Sequence, residues 1–159
     1  MQSVEVVAEP VARGALALVG QLHPLTVHFP IAWLLLALLL ELGGVVLRRP
    51  GWQRASVPLL GLALASFLPS IASGLLRASA GANDDPTELA AVLDHRNLML
   101  AATACGTLAL ALGLWQRRHQ DRRAPRWAYR ALLIAAALLV LTGAHLGASL
   151  VYGAHNLPF

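Results

Sequence analysis

The sequence predicts an all-α integral membrane protein that is folded as a four-helix bundle. Of its 159 residues, 57% are hydrophobic and 13% are charged, whereas soluble domains usually carry about 25% charged residues. The apolar residues are gathered into four long runs, which are separated by short polar segments. Because a membrane-spanning helix needs roughly 20 apolar residues, these runs predict four spans within a single domain.

Residues 22–153 are expected to form the four-helix domain. An N-terminal tail or interfacial segment precedes it at residues 1–21, and a short C-terminal tail follows at residues 154–159. The apolar stretch at residues 14–20 is too short to span a bilayer. The N-terminal segment also lacks the basic start of a signal peptide, so we expect a tail or a helix that lies along the membrane interface.

The first two predicted spans cover residues 27–47 and 57–76. Glu41 lies within the first span, where hydrocarbon makes an ionisable side chain expensive. The preferred interpretation of Glu41 is a pair with an arginine from the inner loops, and the alternative is a proton carrier. Pro69 predicts a kink in the second span, because proline removes a backbone donor and its ring clashes with the preceding turn.

The last two predicted spans cover residues 95–115 and 127–152, and a short helix at residues 89–93 leads into the third span. The single cysteine, Cys105, lies in the third span, where we interpret it as a small apolar residue. One cysteine excludes an intramolecular disulfide and any CxxC metal or haem-attachment motif.

The distribution of charge between the loops predicts how the protein crosses the membrane. The first and third loops are rich in arginine, whereas the second holds Asp84, Asp85, Glu88 and Asp94. Positive charge near the ends of spans marks the cytoplasmic side. Both termini are therefore predicted to lie on the periplasmic side of a bacterial inner membrane. The calculated pI of 10.6 reflects these loops, so we expect no nucleic-acid partner.

This orientation brings five of the six histidines to the outer side of the membrane. A neutral imidazole is a good ligand for haem iron, copper or zinc, and two histidines on facing helices can hold a haem b. His28, His95 and His145 are the first candidates as cofactor and metal ligands, with His23 and His155 behind them. The sixth, His119, lies in the arginine-rich third loop, where we expect a solvated side chain.

Two glycines leave room on the helix around His145, and helix packing is the preferred interpretation of them. Gly143 and Gly147 flank His145, and the lack of side chains there lets a flat macrocycle or a neighbouring helix approach. The leading hypothesis is an inner-membrane protein that holds haem b, or copper as the alternative. It would pass electrons between a membrane pool and a periplasmic carrier. Replacing His145 with alanine is then expected to remove the cofactor while the protein still inserts.

Two other functions remain open at this point. Histidines near a membrane interface are often hydrogen-bonded structural residues, and the protein would then be a non-catalytic subunit of a larger respiratory or photosynthetic type of complex. The third hypothesis is a metal-handling membrane protein. The sequence contains no GxSxG, phosphate-loop or HExxH motif. We therefore assign no catalytic residue and expect no independent catalytic activity beyond electron transfer.

Four segments of the chain resemble a known family. They are residues 23–32 (HPLTVHFPIA), Ser73-Gly74, His95-Arg96-Asn97 and residues 142–153 (TGAHLGASLVYG). Together they resemble an uncharacterised bacterial membrane family known as domain of unknown function 2231. One departure is Ala148, which stands where members often have a second glycine after the histidine.

The resemblance covers nearly the whole chain, from about residue 21 to residue 153. It implies four transmembrane helices with histidines toward one side of the membrane. Members often occur alongside or fused to redox modules such as cytochrome c-like domains, which implies a haem- or metal-linked role. The resemblance supplies no established activity.

Overall fold

The computed structural model describes residue 14 and residues 16–80, 86–119 and 125–153. Within these ranges the regular elements are helices. Residues 16–21 are helical, and five numbered helices follow them: α1 (His23–Thr26), α2 (His28–Val46), α3 (Pro50–Ala80), α4 (Pro86–Arg118) and α5 (Pro125–Tyr152). Four helical segments are long and apolar enough to cross a membrane, namely His23–Val46, Pro50–Ser79, Pro86–Arg118 and Arg126–Tyr152. The predicted all-α architecture with four spans is confirmed.

The helices of the second and third spans, α3 and α4, extend well beyond the apolar runs that predicted them. Helix α3 has 31 residues and therefore a length of about 46 Å, against about 30 Å for the hydrocarbon core. Helix α4 begins at Pro86, so the predicted short helix at residues 89–93 is the first part of the third span. Proline favours the first position of a helix, and Glu88 in the first turn complements the helix dipole.

Helix α3 continues through both of its internal prolines, Pro58 and Pro69. Serine hydroxyls near Pro69 donate to backbone carbonyls one turn earlier, with Ser66 Oγ 2.8 Å from the Leu62 oxygen and Ser70 Oγ 3.0 Å from the Ser66 oxygen. These hydroxyls are satisfied within the helix, which suits a lipid-embedded segment. The kink at Pro69 stays a prediction.

The helices form a ring of two hairpins. Helix α2 packs most extensively against α3, and α4 packs most extensively against α5. Smaller contacts between α3 and α4, and between α2 and α5, close the ring, while α1 rests on α3 and α2. Helices α2 and α4 are therefore diagonal to each other, as are α3 and α5.

The centre of the ring is apolar and rich in alanine. Its fully buried members include Leu34, Ala37, Leu60, Ala63, Ala109, Leu133, Ala136 and Val140. Small residues allow the helices to approach closely: a Cβ atom on Gly113 of α4 would lie 3.0 Å from Cγ2 of Val57 on α3. Polar side chains are buried on both sides of this apolar centre, so the two ends of the bundle are chemically separate.

Candidate functional site

Two histidines meet across one end of the bundle, which we call the histidine end. The ring centroids of His23 on α1 and His95 on α4 are 6.4 Å apart, and the ring planes cross at 85°. Both side chains are partly buried. Because α1 is joined to the first hairpin and α4 belongs to the second, this pair links the two halves of the fold.

A small hydroxyl network holds His23 in place. Its Nδ1 lies 3.2 Å from Ser73 Oγ on α3, and Ser73 Oγ lies 3.0 Å from Thr26 Oγ1 on α1. Ser70 Oγ also lies 3.0 Å from the Thr26 carbonyl oxygen, so its single proton is shared between that oxygen and the Ser66 carbonyl. A Cβ atom on Gly74 would come within 2.9 Å of His23 Cε1, so a larger residue 74 would make the ring shift from its position against α3.

The backbone of α5 holds His95. Its Nδ1 lies 2.7 Å from the Gly143 carbonyl oxygen. Since a carbonyl only accepts hydrogen bonds, Nδ1 carries the proton and Nε2 keeps its lone pair in the neutral ring. A Cβ atom on Gly147 would come within 2.9 Å of His95 Cε1. The two glycines that flank His145 in the sequence thus hold the ring of His95, Gly143 through its carbonyl and Gly147 through close packing. We call this pair of glycines the seat of His95.

The other predicted ligands lie apart from this pair. His28 on α2 and His145 on α5 are both exposed on the outside of the bundle. His155 lies outside the described residues. His119 is exposed, and its ring stacks on Trp115 with centroids 5.0 Å apart. Among the described residues, no group of three or more histidine, cysteine, aspartate or glutamate side chains is arranged to hold a metal ion.

An apolar cavity of about 320 Å³ lies at the same end of the bundle as the histidine pair, although neither histidine lines it. It lies between the end of α3 and the start of α4, where Leu75, Leu89, Val92 and Leu93 line it together with Arg96. Leu75 follows the glycine beneath His23, and Arg96 follows His95 in the chain. The histidine end therefore combines two imidazoles, an apolar cavity and the guanidinium of Arg96 at the edge of that cavity. Sequence reasoning did not identify this combination, because it depends on how α3 and α4 are paired.

A second polar cluster lies at the opposite end of the bundle. Glu41 is 1% exposed, and its Oε1 accepts from Arg130 Nε at 2.9 Å while its Oε2 accepts from Ser56 Oγ at 3.0 Å. Ser56 Oγ is also 2.8 Å from the Tyr129 hydroxyl. The expected arginine partner of Glu41 is thus present, although it comes from within the fourth span and not from a loop. Hydrogen bonds that join α2, α3 and α5 favour a structural role for this carboxylate.

Comparison with known proteins gives one match. A family model described as "Predicted membrane protein (DUF2231)" matches residues 20–156. No curated protein and no solved structure matches the chain. The matched region contains both the histidine pair and the Glu41 cluster.

Proposed function

The chain belongs to the DUF2231 family of predicted membrane proteins, and on that premise we propose that His23 and His95 bind the iron of a haem b. The proposed role is electron transfer at the histidine end of the bundle. Four apolar helices make a lipid bilayer the environment of the protein. The bacterial inner membrane, with the histidine pair at its periplasmic face, is part of the proposal. The observation that carries it is the spacing and anchoring of the two imidazoles.

The spacing suits two imidazoles on opposite sides of one metal ion. With metal–nitrogen bonds of about 2.0 Å, the two ring centres would be separated by about 6.3 Å. The observed separation is 6.4 Å. The separation of the ring centres is thus compatible with two imidazoles that share one ion.

The anchoring suits ligation through Nε2. In both rings the hydrogen bonds to described residues are made by Nδ1, to Ser73 Oγ in one case and to the Gly143 carbonyl in the other. Metal-binding histidines usually hold their second nitrogen in this way, which fixes the orientation of the ring and makes it a better ligand. The protein supplies such a partner for each ring from a different helix.

A site with two protein ligands fits haem better than a bare ion. The described residues offer no third histidine, cysteine or carboxylate at the pair, and the porphyrin itself supplies four nitrogens to the iron. The apolar cavity at the same end of the bundle offers apolar side chains for a macrocycle, and the Arg96 guanidinium that lines it is available for a carboxylate. When bound, the haem supplies one-electron chemistry, while the chain orients it and limits its contact with water. Copper is the alternative cofactor.

The absorption spectrum of the full-length protein, purified in detergent from cells supplied with haem, tests this function. We expect a Soret band that sharpens on reduction with dithionite, together with two resolved visible bands. Elemental analysis of the same sample distinguishes iron from copper. Protein without either metal, made with ample haem and copper, would contradict the proposal.

A second candidate function is a subunit of a larger membrane complex. It is favoured by His28 and His145, which are exposed on the outside of the helices, where polar side chains within or near the membrane usually find partners. Purification in a mild detergent tests it. Co-purification of other subunits by the native protein, and their loss from a His28→Ala/His145→Ala variant, is the expected result.

A further inference from the structure

We propose that the arginine-rich end of the bundle binds the headgroup of an anionic phospholipid through Arg54, Arg117 and Arg126. This end is opposite to the histidine pair, so the proposal does not depend on haem binding. The three residues come from α3, α4 and α5 respectively, and all three are exposed.

Two of these guanidinium groups converge on neighbouring residues of α3. Arg117, in the last turn of α4, donates to the backbone carbonyl of Arg54. Arg126, in the first turn of α5, donates to the side-chain oxygen of Gln53. The fold thus brings positive charge from three helices to one turn at the start of α3.

The described residues do not neutralise this charge. Among the described residues, Glu41 is the carboxylate buried at this end, and its two oxygens accept hydrogen bonds from Arg130 and Ser56. Within the described ranges the ion pair is that of Arg130 with Glu41, and no carboxylate is paired with Arg54, Arg117 or Arg126. An added anion relieves the repulsion between positive charges that the fold holds together. Guanidinium groups also bind phosphate with two parallel hydrogen bonds.

The surrounding surface indicates that the anion is carried by a lipid. Trp52, Trp115 and Trp127 lie at the same end and are exposed by 43%, 36% and 70%, and tryptophan typically marks the headgroup level of a bilayer. Val46 and Leu114, exposed by 78% and 48%, provide apolar surface for acyl chains just inside that level. A phospholipid satisfies both features, because its phosphate and its chains lie at these two depths.

Lipid binding can be measured through the tryptophans at this end. The full-length protein in neutral detergent is titrated with brominated phosphatidylglycerol or brominated phosphatidylcholine, and quenching of tryptophan fluorescence gives the affinity. We expect phosphatidylglycerol to bind at least tenfold more tightly. Since one arginine near an anionic surface is worth about fivefold in affinity, Arg54→Gln should weaken that binding about fivefold. The Arg54→Gln/Arg117→Gln/Arg126→Gln variant should weaken it about 100-fold.

The control removes charge from the other end of the bundle. Arg77→Gln takes one exposed arginine from the histidine end, which matches the single charge removed in Arg54→Gln, and should leave the affinity unchanged. Arg54→Gln is not expected to disturb the fold, because no described residue accepts a hydrogen bond from its guanidinium. A loss of affinity in this variant therefore cannot be attributed to misfolding. Equal affinity for the two lipids, an equal loss in the control variant, or full displacement of the lipid by millimolar inorganic phosphate would overturn the proposal.

Discussion

At the scale of single residues, two glycines decide where the imidazoles lie. Gly74 and Gly147 sit beneath His23 and His95, and a Cβ atom at either position would lie 2.9 Å from the ring above it. Such a contact forces the ring or the helix to move. The positions of the two imidazoles therefore depend on these glycines as much as on the histidines themselves.

Replacing Gly147 with alanine tests this seat directly. We expect the displaced His95 ring to weaken cofactor binding at least tenfold and the crowding to cost about 1–3 kcal/mol of stability. Haem or copper content after detergent purification is the measurement. The matched control is Gly61→Ala, because a Cβ atom on Gly61 would meet nothing within 4 Å. Equal cofactor content in the two variants would show that the seat does not matter.

The Glu41 cluster gives a second prediction at this scale. Arg130→Ala leaves a carboxylate that is 1% exposed without its charged partner, which is expected to cost about 3–5 kcal/mol of stability. The Glu41→Leu/Arg130→Leu variant should recover most of that loss, since neither charge then remains. Thermal unfolding in detergent measures both, with Arg126→Ala as an arginine control that lacks a carboxylate partner. If the double variant were less stable than Arg130→Ala, the cluster would have a role beyond pairing.

Sequence reasoning placed His145 among the first ligand candidates and noted that Gly143 and Gly147 flank it. In a helix, residues 143 and 147 share one face, whereas residue 145 is about 200° around the axis from residue 143. The glycines therefore seat a side chain from another helix, and His145 faces outward. The helical phase could have shown this from the sequence, but the identity of the partner, His95, follows only from the pairing of α4 with α5. The roles of His28 and His145 as ligands stay predictions.

At the scale of helices, the short helix α1 positions His23. It begins with His23-Pro24, where proline at the second position favours a helix start, and it ends before α2 begins at His28. Ser70 and Ser73 of α3 hold it through Thr26. The break between α1 and α2 lets His23 lie over Gly74, while His28 is exposed.

Replacing Ser73 with alanine tests this attachment. The change removes the hydrogen bonds that the hydroxyl makes with His23, Thr26 and the Ser70 carbonyl, but it keeps the ligand itself. Loss of such an outer partner typically costs 10- to 100-fold in metal affinity, and we expect a decrease in that range for the bound cofactor. Ser66→Ala is the control, because Ser66 bonds only within its own helix, to the Leu62 carbonyl. An equal decrease in both variants would point to a general weakening of α3.

The helix type and number followed from the apolar runs, whereas the helix lengths did not. Hydrophobicity reports the part of a helix that lies in hydrocarbon, and α3 and α4 continue past it as far as their ends at Ala80 and Pro86. The cavity at the histidine end is lined partly by these extensions. Its apolar residues, such as Leu89 and Val92, were too few and too far from the main run to predict a site.

At the scale of the whole molecule, an apolar centre separates two polar ends. His28 and Glu41 on α2 are about 20 Å apart along the helix axis, and the buried residues between those depths are mostly alanine, leucine and valine. No polar chain therefore connects the ends through the described core. Electron transfer at the histidine end and lipid binding at the arginine-rich end are accordingly independent proposals.

The predicted orientation places the histidine end in the periplasm, and labelling of single cysteines tests it. In a Cys105→Ala background, Ser79→Cys at the exposed C-terminal end of α3 should react in intact cells with a membrane-impermeant maleimide. Arg48→Cys, in the turn between α2 and α3, should react only after the membrane is opened. The arginine-rich loops favour this result, since short loops rich in arginine usually stay on the cytoplasmic side of the membrane. The reverse pattern would place the histidine pair on the cytoplasmic side.

The haem content of single histidine variants tests the central claim most directly. His23→Ala, His95→Ala, His145→Ala and His119→Ala are purified in parallel, and reduced-minus-oxidised spectra are recorded for each at equal protein concentration. We predict that the signal is lost from the His23 and His95 variants and kept in the His145 and His119 variants. Full haem occupancy in His23→Ala and His95→Ala would contradict the proposed pair. Loss of haem from His145→Ala alone would identify His145 as a ligand instead.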